Sequence, residues 1–182
     1  MKRVLLLVVV TVLCLAATTF AEGQPYIGGK TGMMMIDAAG VDDIIPIGVF
    51  GGYEFMPRMA IEGEFNYRIS GGDWNVGYLD SHTSAEYKLW TLGAYFTYRY
   101  PITPAIYLKG KAGLLHSHVT AEVTWDVPGY GSWTVDASGS DNDLSIGVGG
   151  GYKLGEALAA EAEYTMLSGD VNYLSVGLLM RF

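Results

Sequence analysis

One short run of the chain brings together the residue types of nucleophilic catalysis: His116-Ser117-His118, with Glu122 close behind. A serine nucleophile needs a histidine base and an orienting acid within hydrogen-bond reach. The run lies in a segment that alternates apolar and polar residues, so it reads as a strand, where adjacent side chains point to opposite faces. Ser117 then faces away from both histidines, and no catalytic residue is assigned. His116 and His118 share a face and could begin a metal site. No third ligand is evident, so no metal and no cofactor is expected. Interfacial packing is the simpler account of the pair.

A second set of residues has the chemistry of ion pairing. Glu62 and Glu64, Glu161 and Glu163, and Lys109 and Lys111 recur two residues apart, and Arg68 and Arg99 fall in the same phase of their segments. Lys30, Lys153, Arg181 and Glu54 share that phase. Such sorting places acids and bases on one face of a sheet. If that face is buried, its charges must be paired, because an unpaired one costs several kcal/mol.

The elements that carry these residues show period two. In Ile61-Glu-Gly-Glu-Phe-Asn-Tyr-Arg-Ile69 the odd positions are apolar or Gly, and the even ones are Glu, Glu, Asn and Arg. The same pattern predicts strands near 25–36, 45–55, 60–69, 86–100, 105–118, 143–154, 158–166 and 171–182. The connections at 56–59, 101–104 and 155–157 are tight and hold Pro or Gly. Those at 37–44, 70–85, 119–142 and 167–170 vary in length, and two are long. Val119–Val127 and Ser132–Asp136 alternate within themselves, which extends strands five and six as a hairpin. Helical periodicity is absent after residue 21.

The chain of 182 residues has net charge −8, 50% apolar and 16% charged residues, 25 Gly, 13 Tyr, 4 Trp and one Cys. One cysteine excludes a disulfide scaffold, and the acidic balance argues against nucleic acid as a partner. Met1-Lys-Arg, an apolar run over Val4–Ala17 and small residues before Glu22 have the layout of a secretory signal peptide, residues 1–21. The run is shorter than the roughly 20 residues of a membrane-spanning helix. The remaining residues, 22–182, form the expected barrel domain.

Tight turns at one end and longer loops at the other describe an eight-stranded antiparallel up-and-down barrel that spans a membrane. A soluble binding barrel alternates too, with its apolar phase inward. Three features favour apolar-out. Aromatic residues gather at both ends of the apolar phase: Tyr53, Phe55, Tyr98, Tyr100, Tyr152 and Phe182 at one, and Tyr67, Trp90 and Tyr164 at the other. Glycine crowds the polar phase (Gly28, Gly93, Gly113, Gly147, Gly149 among others), as a narrow interior requires. The sorted charges then make a lumen filled by an ion-pair network of Glu62, Glu64, Arg68, Arg99, Lys109, Lys111, Glu161 and Glu163.

Leu174, Val176, Leu178, Met180 and Phe182 form one apolar phase that ends in an aromatic residue. This resembles the assembly signal of bacterial outer-membrane barrels. Together with Pro25-Tyr-Ile-Gly-Gly-Lys30 and Gly52-Tyr-Glu-Phe-Met-Pro57, the pattern resembles the small eight-stranded family of OmpA-like transmembrane domains, OmpX and opacity-type porins. The resemblance implies export through the periplasm to the Gram-negative outer membrane, recognition by the barrel assembly machinery, and contact with outer-membrane lipid and lipopolysaccharide.

Function in a filled barrel lies in its loops. The long connections contain no Lys or Arg but hold Asp37, Asp42, Asp43, Asp73, Asp80, Glu122, Asp126, Asp136 and Asp170. Divalent cations could bind such an acidic crown, although solvation of exposed loops is the simpler account. Trp125, Tyr130 and Trp133 would either contact an extracellular protein or glycan or pair across the hairpin. A structural or adhesin-like surface role is therefore expected. The alternatives are a narrow ion-conducting porin and, as the less favoured one, a lipid A-modifying barrel enzyme.

Overall fold

The computed structural model describes residues 23–37, 43–71, 83–127 and 131–182. The expected signal peptide, Tyr130 and parts of the long connections, with Asp42, Asp73 and Asp80, lie outside the described residues.

Eight strands account for nearly all of the rest: β1 (Gln24–Ile36), β2 (Ile44–Met56), β3 (Met59–Gly71), β4 (Thr83–Pro101), β5 (Ile106–Val127), β6 (Gly131–Lys153), β7 (Leu158–Ser168) and β8 (Val171–Arg181). Each pairs antiparallel with the next, and β1 pairs with β8 from Tyr26↔Arg181 to Ile36↔Val171, so the sheet closes into a barrel. Closure leaves no edge in the barrel wall, as a lipid environment demands.

The predicted strands are all present; most run a few residues past the limits read from sequence, and β4, β5 and β6 run furthest. The β5–β6 ladder runs from Ile106↔Tyr152 to Val127↔Gly131. β4 follows it up to Thr83↔Trp125. Alternation in 119–136 is the local cause, because it lets this hairpin continue once the flanking strands have turned. β7 and β8, by contrast, end at a turn over Gly169 and Asp170.

At the tight end, Arg58 turns the chain from β2 into β3 with φ 76°. This left-handed conformation is uncommon for a residue with a Cβ. The turn is held by Arg99 N–H, which donates to the Arg58 carbonyl at 2.8 Å, and by the Arg58 guanidinium 6.0 Å from the Tyr100 ring centre.

The side chains settle which face is outside. Phe65, Leu92 and Val176 are 41%, 53% and 58% exposed, whereas Glu64 and Lys111 are 1% and 5%. The apolar phase faces outward around the whole barrel, and the soluble binding-barrel alternative requires the reverse. Of the aromatic residues at the two ends of this phase, Tyr98, Tyr100, Tyr152, Phe182, Tyr67 and Tyr164 are exposed.

Candidate functional site

Because strand side chains alternate, each strand sends every second residue into the lumen. At the tight-turn half these are Tyr26 and Lys30 from β1, Glu62 and Glu64 from β3, Arg99 from β4, Tyr107, Lys109 and Lys111 from β5, and Glu161 and Glu163 from β7. Four buried carboxylates thus meet four buried cations. The lumen is too narrow to keep them apart.

Lys109 Nζ lies 3.1 Å from Glu62 and 2.9 Å from Glu161, and also pairs with Glu163. Arg99 reaches Glu62 at 3.2 Å and Glu161 at 3.1 Å. One level up, Lys111 bridges Glu64 and Glu163, both at 2.8 Å, and Lys30 meets Glu64 at 2.6 Å. Tyr26 and Tyr107 donate their hydroxyl protons to Glu62 (2.8 Å) and Glu161 (2.7 Å). The Arg99 guanidinium lies 4.6 Å from the Tyr26 ring centre. At the tight-turn mouth, Glu54 stands 3.5 Å from both Arg99 and Arg181. Charge-assisted hydrogen bonds in a low-dielectric space hold such a cluster rigidly.

Glycine makes the room. A Cβ at Gly147 would stand 2.9 Å from Lys111 Cε, and one at Gly151 would stand 2.1 Å from the Tyr107 ring.

The structure brings seven of the eight sequence-proposed lumen residues into one cluster. Arg68 is the exception. It sits above the cluster, across from Pro46 on the inner face of β3. Lys153, grouped with the lumen by phase, is exposed at the tight-turn end, where β6 has passed the last buried level. Tyr26 and Tyr107 were not singled out by sequence. Their phase, shared with Lys30 and Lys109, was the signal that could have found them.

The expectation of a filled lumen needs a larger correction. Above the level of Asn66 and Ser145 several inward residues are apolar, and Met34, Ile44, Leu115, Leu167 and Tyr173 form a buried cluster. The first four line a cavity of about 250 Å³, together with Leu89 and Val171 and with Thr91 and Ser117. Just below it, Asn66 donates to Glu64 (2.8 Å) and Thr91 (3.0 Å), and Tyr95 donates to Ser145 (3.3 Å).

Ser117 faces this cavity, while His116 and His118 turn outward onto Trp90, each ring 5.4 Å from the indole. His116 Nδ1 is 2.9 Å from Asn142 Oδ1, and His118 Nδ1 is 2.7 Å from Ser140 Oγ. Among the described residues no cluster of His, Cys, Asp and Glu could hold a metal ion. At the hairpin tip Trp125 and Trp133 are directly opposite in register. Leu174, Val176, Leu178, Met180 and Phe182 are all exposed on the outer face.

Residues 5–182 match the family described as outer membrane protein beta-barrel domain. No curated protein matches the sequence. Among solved structures, Ail, the attachment invasion locus protein of Yersinia pestis, is similar at 19% identity over 88% of this chain and 97% of that one, with a TM-score of 0.55. Neisserial surface protein A is similar at 15% identity over 88% and 97%, with a TM-score of 0.56. The N-terminal barrel of Pseudomonas aeruginosa OprF is similar at 16% identity over 88% and 100%, with a TM-score of 0.52. These likenesses are of fold.

Proposed function

The chain belongs to the outer membrane protein beta-barrel domain family, and from that premise we propose that this outer-membrane barrel is a surface-interaction protein. Its lower lumen is a fixed plug, and its working surface is the sheet raised by β4, β5 and β6. We assign residues 1–21 to export, residues 22–182 to the barrel domain, and the outward phase of β8 from Leu174 to Phe182 to recognition by the assembly machinery.

The observation that carries the reading is the unequal strand length. β5 and β6 span 22 and 23 residues, against 11 each for β7 and β8. About ten residues suffice to cross the membrane, so half of the β5–β6 hairpin stands clear of it. Among the described residues, β6 pairs with β7 only as far as Ile146↔Met166, and β4 with β3 only as far as Tyr67↔Trp90. Among the described residues, no strand ladder covers either outer side of the raised sheet. An open flank presents unpaired backbone donors and acceptors to which an extended polypeptide can add a strand.

The Ail structure with a heparin analogue concerns a polyanion held by that protein. Here the raised strand β6 carries exposed Asp136 and Asp141. Like charge disfavours a sulfated glycan and favours a neutral or basic polypeptide.

The test replaces residues 123–136 with a tight turn and compares cells expressing either form for binding to immobilised extracellular matrix proteins. Retained barrel folding, read by heat-modifiable electrophoretic mobility, with loss of binding supports the proposal. Equal binding by the shortened form overturns it.

A further inference from the structure

The apolar cavity above the plug has no part in pairing the lumen charges or in raising the external sheet. Its lining comes from the phase that lower down supplies lysine, glutamate and glycine: Met34 follows Lys30 and Gly32, Leu115 follows Lys111 and Gly113, and Leu167 follows Glu163 and Thr165. Polar side chains at these positions would be hydrated at no cost. Apolar ones facing water are unfavourable in proportion to their area.

Three observations define an occupant. The cavity holds about 250 Å³, well above the roughly 150 Å³ of an apolar cavity that stays dry and takes up benzene. Toward the plug the same apolar cluster continues into the buried Tyr173, with Lys30 Nζ 5.1 Å from its ring centre, so the cavity adjoins the charged cluster through an aromatic side chain. Its rim is continuous with the lipid-facing surface. Ile36↔Val171 is the last β1–β8 pair, and both residues pack on the cavity cluster. Met33, Leu174 and Met166 stand exposed on the outside of the same low wall. An aliphatic chain can therefore pass from the outer leaflet into the cavity over a short rim.

We propose that this cavity is a binding site for one alkyl chain of an amphiphile, a free fatty acid or a membrane lipid, entering tail first from the rim. The chain replaces water against Met34, Leu115 and Leu167, and the head group stays at the mouth, on the side where Arg68 stands on the inner face of β3.

The chain carries 8 methionines, and Met34 alone among the cavity residues reports from inside. The protein is labelled with ¹³C at the methionine methyl groups, placed in phospholipid nanodiscs and titrated with decanoate. The expected result is a saturable shift of the Met34 signal, with Met33, Met166 and Met180 changing only in proportion to total decanoate. Two isotope arms identify the source of the chain. With deuterated lipid and protonated decanoate, a nuclear Overhauser effect from Met34 to chain methylenes marks the free fatty acid. With the labels reversed, the same effect marks a chain of the resident lipid. Either arm supports the site.

Leu115→Phe, which fills the cavity, and Leu167→Gln, which makes it polar, abolish the saturable shift, each verified as folded by heat-modifiable mobility. A Met34 signal that tracks the lipid-facing methionines in the parent protein overturns the proposal. So does saturation that survives in both variants.

Discussion

Lys109 and Glu62 come from β5 and β3, strands that are not neighbours in the sheet, and their charged groups meet across the lumen at 3.1 Å. The same ammonium group is 2.9 Å from Glu161 on β7. One side chain thus ties three walls of the barrel together. Removing a partner from a buried cluster leaves the others uncompensated, at a cost of about 3–5 kcal/mol. Lys109→Met is expected to lower stability by about that amount, measured as a shift of the urea midpoint in micelles. Lys153→Met, at an exposed end position, should shift it by less than about 0.5 kcal/mol.

The plug also sets permeability. Four carboxylates and four cations balance locally, and Arg99, Tyr26 and Lys109 all lie within hydrogen-bond distance of Glu62. Each of these eight charged groups has an opposite charge within hydrogen-bond distance, so no uncompensated charge of the plug is left to draw an ion through. Planar-bilayer recordings of the parent protein should show near-zero current, unchanged in Glu62→Gln. Stepwise conductance in either would contradict a static plug.

Two glycines on β5 give opposite expectations. A methyl group at Gly113 would stand 2.0 Å from the Ala94 carbonyl oxygen and 2.7 Å from the Tyr95 Cα, both backbone atoms of the paired strand. That ladder cannot yield without breaking, so Gly113→Ala should cost at least about 3 kcal/mol or prevent folding. At Gly110 a Cβ meets nothing within 4 Å. Gly110→Ala should be neutral or gain about 0.5–1 kcal/mol, because glycine is entropically costly in a strand. Urea unfolding of the two variants side by side checks the contrast.

The lipid face has its own penalty. Leu92, 53% exposed, lies mid-strand on the outer surface opposite Phe65. Leu92→Arg places a charge in hydrocarbon and should cost about 2–4 kcal/mol. The same change at Ser138, on the raised part of β6 and exposed to water, should cost about nothing. A small effect at Leu92 would mean that this surface does not face lipid.

Alternation within each strand was legible from the residues alone. It placed Glu62, Glu64, Lys109 and Lys111 on one face and Phe65, Leu92 and Val176 on the other, because a strand's side-chain period is two whatever its neighbours are. The eight strands, the tight and loose ends and the acidic loops followed from that period and from the turn residues. What alternation does not specify is height. Which inward residues share a level depends on the stagger between strands, and the register around the closed barrel sets that stagger. Only the closed sheet brings Lys109 level with Glu62 and Glu161 and leaves Arg68 above them. Only the closed sheet lifts Met34, Ile44, Leu115 and Leu167 to one height. In sequence these four are apolar residues scattered over four separate strands, and together they form the wall of a cavity.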